Sequence, residues 1–150
     1  MTDCIFCEIA KGNSPSHTIW EDENHIAFLS LWPNTQGVTV LIPKEHYSSY
    51  AFDLPDNVLQ GLIIAAKTVA KLIDSKFKDV GRTAMVFEGF GVDHVHAKLY
   101  PLHGTNLNKW QPIKSNIDKY FSRYEGYISS HDSKRANDLD LEEVAKKLKE

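Results

Sequence analysis

Near the middle of the chain, His94, His96 and Lys98 occupy alternate positions. Successive side chains of an extended strand point to opposite faces, so Val92, His94, His96, Lys98 and Tyr100 share one face and Val95, Ala97 and Leu99 the other. Two imidazoles and an ammonium then stand at intervals of roughly 6.6 Å, each near enough to the next to act on one small ligand. Spacing alone leaves a second reading open, a solvated strand face that carries His and Lys without function. A second group of chemical interest is Cys4-Ile-Phe-Cys7. Such a pair can be half of a zinc site, a redox couple or two buried small residues. No thioredoxin-like strand and helix follow it, which disfavours the redox reading, and tetrahedral zinc requires two further ligands from elsewhere in the chain.

The elements that must position these residues follow from periodicity and turn signals. Thr18–Glu21, His25–Leu31 and Val38–Ile42 read as strands separated by Asp22-Glu-Asn24 and by Trp32-Pro-Asn-Thr-Gln-Gly37. Short connections of this kind suit antiparallel neighbours. Between Pro55 and about Phe77, Val58, Leu62, Ala65, Val69, Leu72 and Ile73 recur at helical spacing, with Asp53 and Pro55 as a start signal. Arg82–Phe87 and His94–Tyr100 are two further strands, joined by the glycine-containing link Glu88–Asp93. The expected architecture is α+β, a five-stranded, mainly antiparallel sheet crossed by one long helix on the side of Val95, Ala97 and Leu99. After Pro101 the pattern weakens. A short helix is expected over Ser115 to about Tyr124, and Leu141, Val144, Ala145 and Leu148 form one apolar stripe on a final helix. The expected organisation is a single domain over residues 1–150, with a core of about 4–101 and a C-terminal extension of about 102–150.

Composition sets outer bounds. The chain has 150 residues, 42% apolar and 25% charged, enough for one core without a disulfide framework. A net charge of -3 argues against binding nucleic-acid polymers by phosphate neutralisation. No apolar run is long enough to span a membrane, and the first residues lack the pattern of a signal peptide. These features set the expectation of a cytoplasmic protein with reduced cysteines and no membrane partner.

Cys4-Ile-Phe-Cys-Glu-Ile, Ile19-Trp-Glu-Asp, Ala27-Phe-Leu-Ser-Leu-Trp-Pro, Val40-Leu-Ile-Pro-Lys-Glu-His46 and Gly89-Phe-Gly-Val-Asp-His-Val-His-Ala-Lys-Leu-Tyr-Pro101 follow one another in this chain. In order and spacing they resemble the histidine triad (HIT) family over about residues 4–101. The resemblance implies a meander order for the sheet, and a nucleotide hydrolase or nucleotidyltransferase, built as a homodimer, with His96 as the nucleophile that attacks an α-phosphorus. Imidazole suits that role, because its unperturbed pKa of about 6.5 leaves much of it deprotonated at neutral pH. In the family the other ring nitrogen donates to a backbone carbonyl, which fixes the attacking tautomer. Ile19, Trp20, Phe28 and Leu31 look like the family's apolar slot for a base, with Ser30 at the ribose position. Bacterial relatives with this cysteine pair complete a structural zinc site with two histidines, which here are His46 and His94 beside Cys4 and Cys7.

The chain departs from the family pattern at several positions. Lys98 replaces the third histidine, and Ser30 stands where an acidic residue or asparagine is usual. In a shortened link Phe90 and Gly91 replace polar phosphate-binding residues, and Phe87 stands where asparagine is common. Backbone N–H groups near Gly89 and Gly91 can still receive phosphate. Lys98 offers electrostatic help to phosphate oxygens rather than a proton. Three functions fit: hydrolysis of an adenylated compound, such as a nucleoside phosphoramidate or dinucleoside polyphosphate, through a nucleotidyl-histidine; nucleotidyl transfer to phosphate or a phosphorylated acceptor; or nucleotide binding in an interaction protein without turnover.

Overall fold

The computed structural model describes residues 4–149, the side chain of Ala145 excepted. A short helix, α1 (Ile5–Ala10), precedes strands β1 (Thr18–Glu21), β2 (His25–Leu29) and β3 (Thr39–Pro43). After a single 3-10 turn at Ala51–Asp53, the long helix α2 (Asp56–Lys76) leads to β4 (Thr83–Val86) and β5 (Ala97–Pro101). All pairings are antiparallel, in the order β1-β2-β3-β5-β4. The meander thus runs through β1 to β3, and α2 carries the chain past the place of β5 to the edge strand β4.

The alternation expected around His96 is what splits the interior into two layers. Val95, Ala97 and Leu99 are fully buried and pack with Ala27, Leu41 and the α2 residues Leu62, Ala65, Ala66, Val69 and Ile73. On the opposite face Phe28, Ile26, Val40 and Ile42 form a smaller cluster with Ile9, Phe6 and Ala10 of α1. The fifth strand begins at Ala97 rather than at His94. Its partner β3 ends at Pro43, and ahead of the ladder the Val95 N–H donates to the Tyr47 carbonyl at 2.9 Å. Helix α1 was not expected from the sequence. Six residues are too few for a periodic signal, and helices this short are marginal unless tertiary contacts hold them.

The chain divides into two compact units, Met1–Trp110 and Gln111–Glu150. The first extends beyond Pro101 because residues 103–106 are tied to the end of α2. The Gly81 N–H donates to Thr105 Oγ1 at 3.0 Å and Asn106 Nδ2 to the Lys78 carbonyl at 2.7 Å. In the second unit α3 (Asp138–Lys149) is capped by Asn137, whose Oδ1 accepts from the Asp140 N–H at 2.8 Å. Its apolar stripe, Leu141, Val144 and Leu148, is exposed, and the fourth member's side chain, that of Ala145, lies outside the described residues. The helix expected over 115–124 does not form. Phe121 instead packs edge-on against Tyr127 and His131, so aromatic contacts across a turn replace the helical ladder.

His103 fastens three segments of the first unit. Its Nδ1 lies 3.1 Å from the Asp79 carboxylate and its Nε2 2.8 Å from the Gln36 carbonyl, while its ring packs edge-on to Phe77. Neither oxygen acceptor can donate, so both contacts are made only by the doubly protonated ring. The Gln36 carbonyl foremost, and then Asp79, hold its pKa above the ordinary value, and the same His103 bond foremost holds the Asp79 carboxyl below its own. Next to Gln36, Gly37 has φ +89°, and a Cβ there would lie 2.7 Å from the Phe77 ring.

A raised imidazole pKa contributes stability fully below the unfolded value of about 6.5 and loses it as pH rises through the folded value. The depressed Asp79 carboxyl bounds the same window from the acid side. The melting temperature of wild type should therefore exceed that of His103→Gln most clearly near about pH 5–6 and converge with it in alkaline buffer. Thermal melts across pH check this, and a difference independent of pH would contradict the charged clamp.

Candidate active site

The spacing of the cysteines places both thiols on one side of the first turn of α1, Cys4 at its N-cap and Cys7 inside it. Both are buried and unbridged. Opposite them stands His94, fully buried. Its Nε2 donates to the Pro43 carbonyl at 2.8 Å, which leaves Nδ1 as a lone pair. That nitrogen lies 3.5 Å from Cys4 Sγ and 3.6 Å from Cys7 Sγ. His46 adds its Nδ1 at 3.3 Å from Cys7 Sγ. All four ligand atoms fall within 4.8 Å of one another, and these residues could hold a metal ion. Burial foremost pushes the Cys7 thiol up and the His94 imidazole down.

Two backbone straps bring these histidines together. The Tyr47 carbonyl receives the Val95 N–H, and Asp93 Oδ1 receives the Ser49 N–H at 2.8 Å. That hydrogen bond is the main reason the Asp93 carboxyl lies below its usual range. The strap is close: Gly89 has φ +77°, and a Cβ there would lie 2.8 Å from the Ser49 carbonyl oxygen, so only glycine passes without a shift.

His96 uses the other tautomer. Its Nδ1 donates to the carbonyl of His94 at 2.7 Å, which leaves Nε2 unprotonated in the neutral ring. The residue is 6% exposed. Burial foremost lowers its proton affinity; the His94 carbonyl raises it, the Lys98 charge lowers it and the Glu88 charge raises it. Phe6, between the two cysteines, packs edge-on against His96 at 5.3 Å, His94 at 6.0 Å and Phe28 at 5.5 Å. Sequence reasoning had passed over Phe6. The only signal for it was its place inside the cysteine pair, which puts it on the same short helix.

Against this geometry, a family model described as HIT domain matches residues 11–104. Adenosine 5'-monophosphoramidase HNT1 of Saccharomyces cerevisiae is 35% identical over 119 residues, covering 77% of this chain and 75% of the yeast protein. The chain belongs to the HIT family. A solved HIT family member from Bacillus subtilis superposes with a TM-score of 0.64 at 26% identity, covering 98% of this chain and 95% of that one. A Zn-bound histidine triad family protein from Mycobacterium smegmatis, 24% identical, shares the fold with a TM-score of 0.64 over 75% of this chain and 84% of its own.

The remaining residues singled out for this HIT chain do not all converge. Lys98 is half-buried on the His96 face of β5, opposite Val40 on β3 and Val86 on β4. Phe28 lies on that face too. Ile19 and Trp20, by contrast, pack against the cluster under α2. A register shift between Thr18 and Trp20 breaks the alternation that would have separated them. Leu31 is largely exposed. The four residues expected to form one apolar slot are therefore divided, and Phe6 with Phe28 supplies the apolar contact beside His96. Ser30 Oγ accepts the Trp32 N–H at 3.2 Å, which turns the hydroxyl onto its own loop. Gly91 is exposed, with open space where a Cβ would stand. Among the described residues no helix is long and apolar enough to cross a membrane.

Proposed function

We propose that this HIT protein hydrolyses a nucleotidyl bond through a covalent nucleotidyl-His96 intermediate. The observation that supports it most is the hydrogen bond from His96 Nδ1 to the His94 carbonyl, because it leaves Nε2 as the nucleophile. Nε2 attacks the α-phosphorus, a phosphorus–nitrogen bond forms, and the bond to the leaving group breaks with its electron pair. Water then attacks the same phosphorus, and the pair of the phosphorus–nitrogen bond returns to Nε2. His96 leaves as a neutral imidazole because Nδ1 keeps its proton throughout. Phe6 and Phe28 offer an apolar wall for a base, and Lys98 a positive charge for phosphate oxygens. The name of the yeast relative, an adenosine 5'-monophosphoramidase, makes an adenylated compound the first choice. For phosphate and ribose the family resemblance alone points to the backbone N–H groups around Gly89 and Gly91 and to Ser30, whose hydroxyl is turned onto its own loop here.

His96→Ala should abolish turnover and the covalent adduct while keeping the fold, since the ring is replaced without a new polar group. Intact mass spectrometry after mixing with α-labelled adenylated substrates reads the adduct. A variant keeping a tenth of wild-type activity would overturn the assignment.

The donor set Cys4, Cys7, His46 and His94 also fits zinc. Zinc–sulfur bonds of about 2.3 Å and zinc–nitrogen bonds of about 2.0–2.1 Å around a tetrahedron set sulfur–nitrogen edges of about 3.6 Å. The observed separations are 3.3, 3.5 and 3.6 Å. The Pro43 carbonyl orients His94 in the way outer partners orient ligating imidazoles. Four protein ligands leave no open position, so the ion would clamp α1 to the sheet rather than meet substrate. Protein purified without a chelating tag should carry about one zinc per chain, and Cys7→Ser should lose it. Elemental analysis decides, and equal zinc in the variant would remove the site.

The expected homodimer is supported by β4, which lies at the sheet edge and is hydrogen-bonded only to β5 among the described strands, with Met85 partly exposed on it. Light scattering should give twice the chain mass, and a monomer at micromolar concentration would refute the pairing.

A further inference from the structure

We propose that Lys98 specialises this site for phosphoric anhydrides, in which the nucleotidyl group is joined through oxygen to an acidic leaving group, and makes phosphoramidates poor substrates. The inference rests on the nucleotidyl-His96 reading and names its substrate class.

Lys98 is set on an interior strand next to the sheet edge, between Val40 on one neighbouring strand and Val86 on the other, two positions beyond His96 on the same face. The residue is half-buried, and the strand alternation turns it to the side of His96. The difference between charge and proton donation matters only when the leaving group departs. As Nε2 forms its bond to phosphorus, the electron pair of the broken bond goes to the leaving atom. A bridging oxygen of a phosphate or carboxylate holds that pair as a stable anion, and a nearby ammonium offsets the new charge without moving a proton. An amine nitrogen cannot hold it, and must receive a proton as the bond breaks. Imidazolium releases its proton about four pH units below a lysine ammonium in water, so the histidine found at this position in the family pattern suits amines and a lysine does not. The second step needs no further donor. Water breaks the phosphorus–nitrogen bond, the pair returns to Nε2, the water proton goes to solvent and a nucleoside monophosphate is released.

General acid assistance is worth about 10²–10⁴-fold, which sets the scale of the effect. The test compares kcat/KM of the full-length protein on diadenosine tetraphosphate and on adenosine 5'-phosphoramidate. Wild type should favour the anhydride by about 100-fold or more, and Lys98→His should lower that ratio at least tenfold by raising amidate turnover. Rates on adenosine 5'-aryl phosphates of graded phenol acidity give a readout that needs no variant: wild type should fall steeply as the phenol becomes less acidic. Comparable kcat/KM on both substrates, through Glu88 or any other donor, would overturn the inference, as would a flat aryl series or an unchanged ratio in a folded Lys98→His protein. Absence of any His96-dependent turnover would instead overturn the nucleotidyl-histidine reading, and this inference with it.

Discussion

Two hydrogen bonds from imidazole to backbone carbonyl govern the site. His94 gives its Nε2 proton to Pro43, and His96 gives its Nδ1 proton to His94. One backbone stretch thus holds two histidines in opposite tautomers, so that their lone pairs lie on different ring nitrogens and serve different tasks. His94 presents Nδ1 to the thiols of α1, and His96, the proposed nucleophile, keeps Nε2 clear of the backbone. Had both rings used the same nitrogen toward the backbone, either the cysteines would have lost their partner or Nε2 of His96 its lone pair. Burial reinforces the arrangement by lowering the proton affinity of both rings.

Much of this was legible in the chain because it depends on short periods. The alternation of Val95, Ala97 and Leu99 with His94, His96 and Lys98 specifies two faces, and the 3.6-residue repeat of Leu62, Ala65, Val69 and Ile73 supplies the layer for one of them. What could not be seen depends on breaks in period or on distant pairs. A register shift in β1 sends Ile19 and Trp20 to the α2 side, and no composition signal marks it. Likewise, His103 acquires its role from Asp79, 24 positions away, and Gln36, 67 away. Helix α1 is too short to announce itself, so Phe6 was missed although both cysteines flanking it were noticed.

The two clusters of the first unit also differ in what they can tolerate. The α2 side is a larger, mainly apolar layer, and its apolar members can be exchanged for others of similar volume. The α1 side is small, and it shares Phe6 with both histidines. A change of shape there reaches the metal-ligand candidates and His96 together, so packing and the proposed chemistry are not separable on that face.

The chain positions of these parts set an order of assembly. Cys4 meets His94 at a sequence separation of 90, and α1 is only six residues long. A helix so short does not persist alone, and although β2 and β3 supply the apolar cluster it joins, the histidines that face its cysteines and Phe6 come from a stretch made much later. In synthesis from the N-terminus the burial of His96 therefore belongs to a late stage of the protein's biogenesis.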